Sequence, residues 1–122
     1  MIKPNLPDIQ IKRVYDPPSP DDGYRVLVDR LWPRGLKKEI AALNEWLPDI
    51  APSHRLRKEF GHIAERFDAF AEAYRQELAD NQQLALQLRE RAEAGRLTLL
   101  YGARDSEHNQ AIVLQKYLKE MK

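Results

Sequence analysis

The chain has 122 residues, 43% of them hydrophobic and 32% charged, with 20 basic against 19 acidic side chains, a net charge of +1 and no cysteine. This size and composition suit one globular domain spanning residues 1–122. The charge balance removes any long-range pull toward nucleic acid or membrane, and the missing cysteines remove disulfides, thiolate nucleophiles, zinc–cysteine sites and iron–sulfur clusters. Met1 to Gln10 holds two prolines and no apolar run long enough for a leader or a membrane span, so a soluble, cytoplasmic protein is expected.

In chain order, Ile9 to Tyr15 reads as a short strand stopped by Asp16-Pro17-Pro18, and Asp16 to Gly23 as a turn-rich loop too short for a full crossover helix. Tyr24 to Asp29 is a second strand. Its unbroken Val26-Leu27-Val28 run suits a strand covered on both faces. Pro33 and Gly35 stop regular structure. Leu43 to Leu47 is read as a third strand, with a helical turn as the alternative.

Ser53 is placed as the N-cap of a helix carrying the Leu56/Phe60 pair and ended by Gly61. Ile63, Phe67, Phe70, Tyr74 and Leu78 recur at steps of four and three, one stripe of an α-helix. After Asp80-Asn81, Leu84, Ala85, Leu88 and Ala92 mark another helix ending at Gly95. Leu97 to Tyr101 reads as a buried strand. Asp105 or Ser106 then caps a last helix whose Ala111, Leu114, Leu118 and Met121 face inward. The order predicts an α/β fold, a small and mainly parallel sheet of about four strands with helices packed against it.

In such sheets, ligands gather at the carboxyl ends of the strands. Two segments leave those ends with polar residues. From Arg25 to Lys38 there are five basic residues and one acid, Asp29. Arg30 and Arg34 flank Trp32-Pro33, and arginine presents a planar fork that grips carboxylate or phosphate through two hydrogen bonds. The second segment is Tyr101 to Asn109. There Gly102 allows a tight turn, and a helix starting near Ser106 would offer free N–H groups and a positive dipole end.

His108, placed in the first turn of that helix, is the acid–base candidate, and Asp29 or Asp105 would orient it or an arginine. Arg57 points from one turn after Ser53 toward the same pocket. Ser53 is first of all a cap, and Trp46 and Tyr101 are read as core or pocket-wall aromatics. Arg104 and Asn109 complete the candidate ligand-binding set with Arg30, Trp32, Arg34, Ser53, Arg57, Tyr101, Gly102 and Ser106. The histidines His54 and His62 form no ligand spacing, and neither GxxxxGK[ST] nor GxGxxG occurs, so no metal and no cofactor is expected.

The stretches Val28-Asp29-Arg30-Leu31-Trp32-Pro33-Arg34-Gly35, Ile50-Ala51-Pro52-Ser53 with Leu56-Arg57, and Leu99 to Asp105 with His108-Asn109 resemble the YeaO-like family of bacterial proteins, part of the domain of unknown function 488 group. The resemblance runs along almost the whole chain. It implies a compact α/β domain in the bacterial cytoplasm and no established activity. Where longer members of that group carry a Cys-His-Arg-like triplet, this chain reads Glu107-His108-Asn109-Gln110, so no thiol chemistry carries over.

The residues thus predict an arginine-rich pocket for a small anionic or phosphorylated ligand, with hydrolase or transferase chemistry as an open option. The alternative is a non-enzymatic module reading nucleic acid or a partner protein through the Arg25–Lys38 and Arg55–Lys58 clusters. The near-neutral charge disfavours nucleic acid, and no membrane partner is expected.

Overall fold

A computed structural model describes residues 7–121; most of the N-terminal stretch read for a leader lies outside them. Among these residues the fold is α/β, with four strands, all parallel, in the order β1-β4-β2-β3 and five α-helices. The strands are β1 (Ile9–Arg13), β2 (Tyr24–Leu27), β3 (Glu45–Trp46) and β4 (Leu97–Tyr101). The helices are α1 (Lys38–Ala41), α2 (His54–Phe60), α3 (Phe67–Ala79), α4 (Gln82–Ala94) and α5 (Gln110–Glu120). No helix among the described residues is long and apolar enough to cross a membrane.

β4 lies centrally, with Ile9 to Arg13 paired to Leu97 to Tyr101 on one side and Tyr24 to Leu27 paired to Leu97 to Leu100 on the other. β1 and β2 therefore flank a strand that comes much later in the chain. The connection between them, residues 14–23, holds only a 3-10 turn at Pro20–Asp22. An extended chain covers about 3.3–3.6 Å per residue, enough for this segment to run back along a five-residue strand and past β4 without a helix.

Residue alternation then divides the sheet into two faces. Val26, Val28, Leu97, Leu99 and Tyr101 face the layer built from α2 to α5, where Phe60, Phe70, Tyr74, Leu78, Leu88, Leu114 and Leu118 are buried. Val14, Leu27 and Leu100 face the other way, covered by Ala41 and by Trp32, Leu36 and Leu43 of the β2–β3 connection. The continuous Val26-Leu27-Val28 run is buried throughout, as expected of a strand covered on both sides.

At the amino ends of the strands this second face closes over a polar cluster. Arg25 is 5% exposed, and its guanidinium pairs with Asp22 and donates to the carbonyls of Ala41 and Ala42 at 2.7 and 3.0 Å. Lys12 also reaches Asp22, at 3.1 Å, and Thr98 donates to the Asp22 carbonyl at 2.6 Å.

Several boundaries differ from the sequence reading. β3 is only Glu45–Trp46, because the ladder to β2 spans just Val26↔Glu45 and Leu27↔Trp46. Trp46 is 40% exposed at this sheet edge rather than a core residue; its indole N–H donates to the Asp29 carbonyl at 2.8 Å. Ile63 precedes α3 and is exposed, so the buried stripe of that helix is Phe70, Tyr74 and Leu78.

The last helix is capped by neither Asp105 nor Ser106. Its cap is Asn109, whose side-chain oxygen accepts from the Ile112 N–H at 3.2 Å. Asp105 instead closes the preceding turn, accepting the N–H groups of Glu107 and His108 at 2.9 and 3.1 Å.

Candidate functional site

Parallel strands end on one edge, and there the loops after β1, β2 and β4 surround a cavity of about 480 Å³. The β2 loop supplies Asp29, Arg30, Leu31, Trp32, Pro33 and Arg34; α2 supplies Arg57 and Phe60; α3 supplies Phe70; the β4 loop supplies Gly102 and Ala103; and the start of α5 supplies Asn109 and Gln110. Tyr15, Pro52 and His62 complete the wall. The tryptophan–proline turn and the start of the last helix thus meet at one concavity.

Asp29 lies just beyond β2 and is half-buried. Its two carboxylate oxygens accept separate hydrogen bonds, Oδ2 from the Gly102 N–H at 3.0 Å and Oδ1 from the Gln110 amide at 2.6 Å. Burial pushes its carboxyl up to about 6, against the downward pull of those two donors and of the Arg57 and His62 charges. No ion pair engages Asp29 among the described residues.

The arginines play unequal parts. Arg30 lines the cavity, but its guanidinium is used internally: Nε donates to the Pro52 carbonyl at 3.0 Å and an Nη to the Ala51 carbonyl at 2.9 Å. Predicted as an anion clamp, it pins the β2 loop to the start of α2. Arg57 is half-buried, and no hydrogen bond or ion pair holds its guanidinium among the described residues. Arg34 stands exposed at the mouth; its backbone carbonyl accepts from the Tyr15 hydroxyl at 2.7 Å, while its side chain is likewise without a partner among them.

Other predicted residues fall elsewhere. Ser53 caps α2 by accepting from the Leu56 N–H at 3.2 Å, and both its N–H and its hydroxyl are gripped by the Glu77 carboxylate, at 2.9 and 2.6 Å. It faces a separate, smaller cavity of about 160 Å³. Tyr101 is buried among the core side chains beneath the helices. Arg104 and Ser106 are exposed and outside the cavity wall.

His108 precedes α5 instead of entering its first turn, and it too stands outside that wall. Its Nδ1 lies 2.9 Å from Asp105 Oδ2, and its ring packs edge-on against Phe67 with centroids 5.2 Å apart. The Glu107 N–H and the His108 side chain hold the Asp105 carboxyl below the usual carboxylate range. This Asp105–His108 pair orders the turn. The Arg25 side chain is also withdrawn from solvent, so the run from Arg25 to Lys38 forms no continuous basic face.

Tyr15, Phe60, His62, Phe70 and Gln110 were missed as wall residues. Gln110 had a local signal, since it follows Asn109 at the start of the helix. The phenylalanines carry none, because their spacing is that of ordinary core positions. Among the described residues no cluster of His, Asp and Glu could hold a metal ion.

Over residues 8–122 the chain matches the family described as the inactive DUF488-N3 subclade, DUF488-N3i. It is 47% identical over 114 residues to the uncharacterized protein YeaO of Escherichia coli (strain K12), covering 93% of this chain and 99% of that protein. It is 41% identical over 110 residues to the uncharacterized proteins Mb3100c of Mycobacterium bovis and Rv3073c of Mycobacterium tuberculosis, covering 90% of this chain and 92% of each relative. No solved structure matches it.

Proposed function

The chain belongs to the DUF488-N3i family, and from that premise we propose that it works by binding rather than by turnover, holding a small anionic ligand in the cavity at the carboxyl edge of its sheet. The word "inactive" in the family's description agrees with a binding role. The observation that carries the reading is Arg57, a half-buried guanidinium on a cavity wall without an acceptor of its own among the described residues.

Taking a guanidinium partly out of water is costly unless an anion compensates it, and its planar fork suits carboxylate and phosphate oxygens. Arg34 at the mouth adds a second positive charge. Arg30, anchored to Ala51 and Pro52, keeps the loop that carries Arg34 in place.

Thermal-shift and calorimetric titration with inorganic phosphate, small dicarboxylates and nucleotides tests this. At least one of these anions is expected to raise the melting temperature of the wild type, and Arg57→Ala is expected to remove that shift. The reading fails if no anion stabilises the wild type, or if Arg57→Ala is stabilised equally.

A further inference from the structure

The same cavity that presents two arginines also presents a carboxylate. Asp29 lines it beside Arg57, yet no ion pair joins the two side chains. Each Asp29 oxygen accepts one hydrogen bond, from Gly102 or Gln110, and a carboxylate has lone pairs for about four. Acceptor capacity is therefore left over on a residue that lines the cavity. A simple dianion lodged on Arg57 would meet this negative charge across a partly desolvated space, where like charges repel strongly.

Phe60, Phe70 and Pro33 give the same wall an apolar part. Phe60 and Phe70 stack with centroids 4.4 Å apart, which fixes that side of the wall. Building on the anion reading above, we infer that the ligand is a small zwitterion: its oxyanion sits on Arg57 and Arg34, and an N–H-bearing cationic group sits on the Asp29 carboxylate. The cavity, at about 480 Å³, is within the range of small-molecule sites. A ligand that carries both charges satisfies both walls at once; one that carries only the oxyanion leaves Asp29 uncompensated.

The test uses three phosphate monoesters with the same head and different tails: phosphoethanolamine (ammonium), ethyl phosphate (methyl) and phosphoglycolate (carboxylate). Each is titrated calorimetrically at pH 7.5 into the wild type, Asp29→Asn and Arg57→Ala, with the fold of each variant checked by its thermal melt. The wild type is expected to bind phosphoethanolamine about tenfold more tightly than ethyl phosphate, with phosphoglycolate weakest. Asp29→Asn is expected to remove the preference while still binding ethyl phosphate.

Equal binding of all three esters by the wild type, lost in Arg57→Ala, would overturn the zwitterion assignment and leave the anion pocket standing. If none of the three binds, the zwitterion assignment falls, and the anion reading falls with it if inorganic phosphate, dicarboxylates and nucleotides fail too; if Arg57→Ala binds the esters as the wild type does, both readings fall. The ordering in the wild type decides the matter even if Asp29→Asn folds poorly.

Discussion

A Cβ added to Gly102 would stand 2.8 Å from Asp29 Oδ2, the oxygen that the Gly102 N–H itself approaches at 3.0 Å. The added atom would rest against Pro33 at 3.5 Å, an ordinary contact, so it is the Asp29 carboxylate that would have to move off the Gly102 N–H. Gly102→Ala should therefore destabilise the protein by about 1–3 kcal/mol, the usual range for overpacking. Urea unfolding monitored by circular dichroism would read it as a lower midpoint at unchanged slope. A midpoint equal to that of the wild type would mean that the site tolerates the shift freely.

The raised carboxyl of Asp29 makes a signed pH prediction. Its value in the folded chain is about 6 against an ordinary 3.8, so the folded state holds a proton that the unfolded chain releases. Stability from this group is complete below pH 3.8 and is lost as pH rises through about 6, with an upper size of about 3 kcal/mol. Asp29→Asn should consequently cost more at pH 4 than at pH 7.5. Denaturant melts of both proteins across that interval check this; a difference independent of pH would contradict it.

Arg25 and Asp22 form the buried charge pair at the amino ends of the strands, and Arg25 also ties down the carbonyls of Ala41 and Ala42. Arg25→Ala leaves the Asp22 carboxylate with Lys12 and the Ser19 N–H and strips both carbonyls of the guanidinium donor. A loss of about 3–5 kcal/mol is expected, the cost of removing one partner of a buried pair. Chemical denaturation measures it, and a loss below about 1 kcal/mol would place the pair among inconsequential surface contacts.

Ser53 and Glu77 serve structure rather than ligand. Ser53→Ala should cost about 1 kcal/mol for the lost cap, with a further penalty from Glu77, whose carboxylate loses the hydroxyl it grips. A double-mutant cycle with Glu77→Gln should show positive coupling. Anion titrations of Ser53→Ala should match the wild type; a large loss of affinity would return Ser53 to the binding site.

Much of the fold was legible because its signals are local. The Phe70, Tyr74 and Leu78 stripe, the Ser53 cap with the Gly61 stop, and the buried runs of β2 and β4 each follow from a period or a cap preference. The start of α5 was not legible for the same kind of reason. Asp105, Ser106 and Asn109 are all good caps within five positions, and the choice fell to Asn109 because the turn at Glu107 and His108 consumes the Asp105 carboxylate.

The arginines show the sharper limit. Arg30 and Arg57 are chemically identical in sequence, and both line the cavity. Arg30 is spent on carbonyls 21 and 22 residues further along the chain, a contact that no local pattern encodes. Arg57 finds no such acceptor among the described residues. Which arginine is left open to the cavity is thus decided by tertiary packing alone.

The segment from Trp32 to Leu43, with the short α1 in it, seals the sheet face turned away from α2 to α5, and its first residues also form the rim of the cavity. The cover of this face and the rim of the cavity therefore share one stretch of backbone. On the binding reading proposed above, a ligand against this rim is expected to tighten the cover over Leu27 and Leu100, and slower amide hydrogen exchange in β2 and β4 would register occupancy from beneath the floor of the site, without a probe in the site itself.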